Sequence, residues 1–404
     1  MIENKLLNIN ILLISALPVA LISGPLIPDL IVFYSLFVFF LVYKKNNIIF
    51  YKDIILILFL IFWLNSILSS IFSSDITYSI KSSLFYIRFI VFFLLISLVI
   101  KNYPEFLKKF YYVLVLSFLI LFLDSSFQKI FDFNLIGMKT PHEVRISSFF
   151  GDELILGSFL VKFYPLLIGL TYFFNQKNFN LYFFLISICT FITVIISVEK
   201  TATIIFIIQY LALLIFLRNK LKYKSILLLI PILIISFVFI FAPNIKNRIY
   251  NQLISNSKNF TVIYTQTHNE HYISSYRIFK DHPISGVGPK MFRKYCGKEE
   301  YKISEFSCTT HPHNYSMQML SETGLIGFIL YILIYSIFLI DFCKIFFKKN
   351  FTHYEFLFFT TLILNLINFM PLFPSGNFFN NWIAITYSIP LGFYYYLRKN
   401  SIIK

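Results

Sequence analysis

The feature that most constrains this chain is a succession of apolar runs, each on the length scale of a bilayer, separated by short segments that hold most of the basic residues. A hydrocarbon core about 30 Å thick takes about 20 apolar residues per helix, and a helix is one of the few structures that satisfies its own backbone there. Twelve runs can be placed, at roughly 6–24, 26–43, 54–72, 82–100, 108–126, 153–174, 181–198, 201–217, 225–243, 314–341, 355–373 and 382–397. Only 13% of the 404 residues are charged and 58% are hydrophobic, whereas a soluble domain keeps about a quarter charged. The predicted fold class is an all-α polytopic membrane protein with about 12 transmembrane helices. Residues 1–404 form a single membrane domain.

The net charge of +16 does not point to nucleic acid. Its lysines and arginines gather at Lys44-Lys45, Lys108-Lys109, Arg218 to Lys224, Lys344 to Lys349 and Arg398 to Lys404, between the apolar runs, which is the positive-inside pattern. Alternating the spans from a cytoplasmic N-terminus puts every one of these clusters inside, together with the C-terminus. That is the expected arrangement for a bacterial inner membrane. The first run, with a single lysine before it and another run directly after, reads as a retained helix and not a cleaved signal peptide. The outside then holds a loop at about 127–152, the turn Val198 to Thr201, a large periplasmic insertion at 244–314 between helices 9 and 10, and the turn Phe373 to Asn381. Cys296 and Cys308 share the insertion. A disulfide is expected there, since the periplasm permits one. Closing a loop of this size stabilises by about 3 kcal/mol in the entropic model. Free thiols or metal ligands are the alternatives.

Polar residues are densest from His311 to Gly327, at the junction of the insertion and the tenth span. His313 stands where the chain leaves water, and a neutral imidazole there can take a proton from a hydroxyl. Asn314, Gln318 and Glu322 follow at four-residue intervals, so one helix face carries three polar groups. They are candidate substrate-binding residues, while Gly324 and Gly327 allow another helix close approach. The competing reading is a helix cap followed by packing glycines. Arg88 and Lys162 lie in or beside spans, where charge is costly. Lys162 either extends a cationic site or pairs with a carboxylate, and Arg88 is equally well a structural partner between helices. Phe373 to Trp382 either lines the site or anchors Trp382 at the interface.

His313-Asn314, nine residues, Gly324, two residues and Gly327 resemble the pattern shared by ligases of the bacterial O-antigen ligase and polymerase superfamily. Tyr276-Arg277 through His282-Pro283 and Gly286-Val287-Gly288 to Phe292 resemble its loop segment. Arg145 matches the arginine ahead of the sixth span. Val198-Glu199-Lys200-Thr201-Ala202 resembles a further stretch, with Lys200 where an arginine is usual. The resemblance implies a metal-independent, inverting glycosyltransferase without cofactors. The donor would be a glycan on undecaprenyl diphosphate, and the acceptor a hydroxyl of lipid A–core. His313, Arg277 and Arg145 would be catalytic, with Lys200 and Lys162 holding the donor. Of the seven arginines, four (Arg145, Arg248, Arg277 and Arg293) fall outside; Arg248 and Arg293 read as ordinary solvated cations. A planar guanidinium suits a diphosphate better than an ammonium does.

No Walker-type phosphate loop and no cluster with metal-ligand spacing occurs in the sequence. The first outer loop, Pro25 to Asp29, is too short for the acidic pair of metal-dependent oligosaccharyltransferases. A polymerase of the same superfamily is the nearest alternative. A protein-directed O-glycosylating relative is less favoured because the sequence stops after its last span. A secondary transporter is disfavoured because no pairing of two six-helix halves is visible.

Overall fold

The structure, a computed structural model, describes residues 2–42, 53–140, 142, 144–222, 229, 236, 265–348 and 350–401. Lys44-Lys45, most of the expected ninth span, Arg248 and residues 244–264 of the insertion fall outside the described residues. Every regular element among those described is helical, and the one β-bridge pairs Phe133 with Lys139. The helices are α1 Ile2–Ser15, α2 Leu17–Ile22, α3 Leu26–Val42, α4 Ile54–Ile71, α5 Ile76–Leu84, α6 Ile87–Asn102, α7 Glu105–Phe131, α8 Leu156–Val161, α9 Tyr164–Phe174, α10 Phe179–Ile196, α11 Lys200–Phe216, α12 Gln266–Asp281, α13 Phe292–Tyr295, α14 Tyr315–Phe346, α15 His353–Asn368 and α16 Asn381–Ser401.

Five segments among the described residues are long and apolar enough to cross a membrane: Ile54–Ile71, Ile76–Asn102, Glu105–Phe131, Gln176–Ile196 and Tyr315–Phe346. Shorter apolar helices cover Lys5–Ser15, Leu26–Val42, Tyr164–Phe174 and Lys200–Phe216. Besides the tenth, interrupted at Gly324, and the fourth, whose first residues belong to α5, two of the expected spans are each broken in two. The first breaks at Ala16, and the sixth at Lys162-Phe163. In both, the second half opens with a proline in its first turn, Pro18 and Pro165. Proline is tolerated there but removes a hydrogen bond from a continuous helix.

α15 and α16 form the centre. Phe356 to Asn365 and Ala384 to Tyr395 are buried without interruption, as expected for helices apolar all round. Gly169 of α9 lies against Thr360, and Gly392 of α16 against Ile96 and Phe93 of α6, so backbones approach closely where side chains are missing. The outer helices keep large apolar residues exposed, among them Phe37 and Phe40 of α3, Leu64 and Leu68 of α4, and Ile329 and Leu333 of α14. On a membrane protein that is the lipid-facing surface.

One end of the frame is closed by Arg398. Its Nη1 donates to Asp53 at 2.7 Å, and its Nε to Asp341 at 2.8 Å. Tyr394 also donates to Asp341, so α4, α14 and α16 meet at one charge network. The far end is closed by the insertion. α14 breaks at Gly324 (φ 69°), and Gly286-Val287-Gly288 enters the break. Val287 N donates to Ser321 O, Gly288 N to Glu322 O, each at 2.9 Å, and Leu325 N to Pro283 O at 2.8 Å. Gly324 therefore admits a loop, not the neighbouring helix expected from the sequence. The helix comes to Gly327, where Asn65 of α4 donates to Thr323 O. The insertion has its own small core of Ile278, Val287, Met291, Phe292, Tyr295 and Tyr301, with Cys296 bonded to Cys308. An ion pair from Lys294 to Asp75 fastens it to the turn before α5.

A Cβ on Gly324 would sit 2.0 Å from the Ile284 carbonyl oxygen. Gly137 has a positive φ as well, but open space around it. Gly324→Ala should therefore lower the melting temperature of the purified protein well beyond Gly137→Ala, whose cost is conformational strain of about 1–3 kcal/mol alone. Equal shifts in a detergent thermal melt would contradict the docking.

Candidate active site

His313 occupies the turn into α14 in a left-handed conformation (φ 55°), uncommon for a residue with a Cβ. The turn is tied down from several directions. Asn314 caps α14 by accepting from Met317 N at 3.0 Å, and its Nδ2 donates to Pro371 O at 3.0 Å. Ser316 donates to the same carbonyl, and Ser375 N donates to His313 O at 2.9 Å. Beneath, Gln318 donates to Glu322 and to Asn377, each at 2.9 Å, and accepts from Phe378 N. Glu322 also accepts from Phe292 N at 3.1 Å. The segment 373–382 thus supports His313 from below through Ser375 and Asn377.

Three further histidines surround the imidazole. Ring centroids lie 4.1 Å from His311, 5.4 Å from His271 and 5.6 Å from His268. His268 and His271 come from the first turns of α12, which opens on a capping box between Thr265 and His268. His271 Nε2 is bonded to Phe306 O at 2.9 Å. Burial, followed by His268 and His271, pushes His313 down to about 4. Burial, His271 and Lys200 do the same to His268. His311 goes to about 3, by burial first, then His313. The group is neutral at pH 7 and accepts protons or hydrogen bonds without repelling a cation. Among the described residues no set of three or more His, Cys, Asp or Glu is arranged to hold a metal.

Cations gather beside this group. Lys200 starts α11 within electrostatic reach of His268, and its Nζ is buried with no hydrogen-bond partner among the described residues. The preceding residue, Glu199, accepts from Gly157 N at 2.6 Å and from Ser158 N and Oγ at 3.1 and 2.5 Å. It thereby holds the start of α8. Arg145 and Lys162 both lie within electrostatic reach of Glu199, and Lys162 Nζ sits 5.6 Å from the Trp382 ring centroid. Arg145 also donates to Leu154 O at 2.8 Å. Its loop is shaped by Asp124 and Gln128 of α7, which accept from Ser148 Oγ and Ser148 N at 2.5 and 2.7 Å.

The expected residues thus separate into groups. His313 is central; Lys200 adjoins it through His268; Arg145 and Lys162 meet at Glu199. Asn314, Gln318 and Glu322 lie under His313 with internal hydrogen-bond partners. Arg277 is exposed on α12, where its Nη1 donates to Lys302 O at 3.0 Å, and none of its described contacts is with the histidines. Arg88 pairs with Asp29 at 3.3 Å. Glu199, His268 and His271 were not among the residues expected at the site. The His-x-x-His spacing of the last two, directly after a capping threonine, is a signal that one face of a helix carries both rings.

Residues 185–332 match the family model described as O-Antigen ligase. A search of curated proteins finds no match. The matched stretch runs from within α10 to within α14 and includes Lys200, the four histidines and the break at Gly324. The match supports a place in the O-antigen ligase superfamily for this stretch, which implies a glycosyltransferase-like membrane enzyme.

The histidines titrate below their usual 6.5, so below that pH an opened insertion binds more protons than the docked one. Its docking should weaken as pH falls from about 6.5 toward 4, and not above. Protection from hydrogen exchange across 266–281 and 311–315, taken relative to the intrinsic amide rate at each pH, should fall over that interval. Constant protection between pH 7 and 5 would show that the rings are not packed as described.

Proposed function

We propose that the protein transfers a glycan from undecaprenyl diphosphate to a hydroxyl of lipid A–core, the O-antigen ligase reaction, at the periplasmic face of the inner membrane. The observation that carries this reading is a neutral, turn-held His313 packed beside His268, which lies within electrostatic reach of Lys200, while the neighbouring Glu199 has Arg145 and Lys162 within its own reach. A base for the acceptor hydroxyl and a clamp for the leaving diphosphate are the two things the reaction requires. The acceptor oxygen attacks the anomeric carbon from the face opposite the diphosphate, and the bond from that carbon to the diphosphate oxygen breaks. The acceptor proton passes to His313 and then to water, and undecaprenyl diphosphate departs. Inversion follows from the in-line geometry.

Lys200, Arg145 and Lys162 neutralise the leaving diphosphate, where charge-assisted hydrogen bonds are strongest. A diphosphate beside the imidazoles also favours the protonated ring, raising His313 toward the working pH during transfer. Asn314, Gln318 and Glu322 hold the turn that aims it. We retain Arg277 as a cation that meets the donor from the solvent side of the insertion. The twelve-span topology, with 244–314 outside, completes the reading.

His313→Ala should reduce transfer about 10²–10⁴-fold. Arg145→Ala and Lys200→Ala should each reduce it by about tenfold or more. Surface glycan and an in vitro assay, at matched protein level, provide the measurement. Normal glycan from His313→Ala would end the assignment, while normal glycan from Arg277→Ala would remove only Arg277. In a deletion strain, long lipid-linked glycan should accumulate; single repeats on the core would instead identify a polymerase.

A further inference from the structure

A second group of cations stands at the other end of the histidine cluster. Lys200 reaches the rings through His268, whereas Arg293 reaches them through His311. Next to Arg293 lies Lys290, itself within electrostatic reach of Arg293, Glu322, Arg88 and Asp29. Its place is fixed by backbone. Ser79 of α5 donates to Pro289 O at 3.1 Å, Met291 N donates to Gly288 O, and Phe292 N to the Glu322 carboxylate. Between these ties Lys290 is half-buried and left-handed, φ 63°, a strained conformation that tends to accompany function.

The two carboxylates nearby are already engaged. Asp29 takes Arg88 and Asn381 Nδ2, and Glu322 takes Phe292 N and Gln318. Neither Lys290 nor Arg293 has an ion pair among the described residues. Three cations, Arg88, Lys290 and Arg293, thus share two carboxylates, and an anion would balance the charge left over. The elements that carry these groups expose apolar side chains. Leu26 and Ile284 are 70% and 69% exposed, and Ile27 and Leu30 flank Asp29 on the same helix. Charge beside an apolar face fits an amphiphile better than a free ion.

We infer that Lys290 and Arg293, with Arg88 held by Asp29, form the subsite for a phosphate on the lipid-anchored glycolipid acceptor. This rests on the glycosyltransferase reading above. It leaves His313 between two anions of different origin: the donor diphosphate on the Lys200 side, and the acceptor phosphate on the Lys290 side. An acceptor anchored there presents its hydroxyl to a base already adjacent to the leaving group.

Lys290→Gly removes the ammonium and suits the backbone, since glycine accepts φ near 60° freely. Arg293→Gln is a second, exposed variant whose folding is not at issue. Each protein, in nanodiscs of zwitterionic lipid, is assayed for binding and transfer with phosphorylated and enzymatically dephosphorylated acceptor. Both variants should raise the KM and Kd for phosphorylated acceptor about 10–100-fold, with the donor KM unmoved. Wild type should lose the same factor on dephosphorylated acceptor, and the variants nothing further. A rise equal for both acceptors, or one in donor KM instead, overturns the subsite. So does a loss restored by anionic bilayer lipid, which would make the headgroup the ligand. Wild type that binds phosphorylated acceptor in a Lys290-dependent way but forms no product would sink the transferase reading and leave the subsite standing.

Discussion

The insertion of Gly286-Val287-Gly288 into the break of α14 is the interaction on which the rest depends. A helix interrupted at Gly324 exposes carbonyls at Ser321 and Glu322 that buried backbone must satisfy. Two amides of the insertion meet them. That pairing fixes α12 against the start of α14, and so sets His268 and His271 beside His313. Substituting either glycine removes more than a close contact; it removes the reason the imidazoles share a site.

The electrostatics follow from that docking. Burial keeps the four rings neutral, so they sit next to Lys200 and Arg293 without mutual repulsion. Glu199 holds the broken sixth span at Gly157 and Ser158 and has Arg145 and Lys162 within reach, gathering two cations, one from a loop and one from the break in a span, around one carboxylate. Gly157 has no room for a side chain there: a Cβ would meet Ser197 Oγ at 2.6 Å.

Much of this was legible in the sequence, for physical reasons. Apolar runs must be helices in a bilayer, and Cys296 with Cys308, His313-Asn314 and the paired glycines stand out because few residues replace them in their roles. The separation of Arg277 from His313 was not legible. Which face an arginine takes on α12 depends on where that helix starts, and Thr265 as its cap became evident only in three dimensions. Gly324 was recognised as a site of close approach, but the approaching partner is some 40 residues upstream, a distance periodicity does not bridge. Lys290 had no local signal, because its significance lies in neighbours from α3, α6 and α14.

The two closures of the frame have a mechanical consequence. α4 and α14 are joined near one end through Asn65 and Thr323, and at the other through Asp53, Arg398 and Asp341. Segments riveted at both extremities do not rock past one another, as an alternating-access cycle demands. Rearrangement is left to the insertion and its flanking turns, so the α4–α14 pair serves as an anvil, still beneath the parts that move.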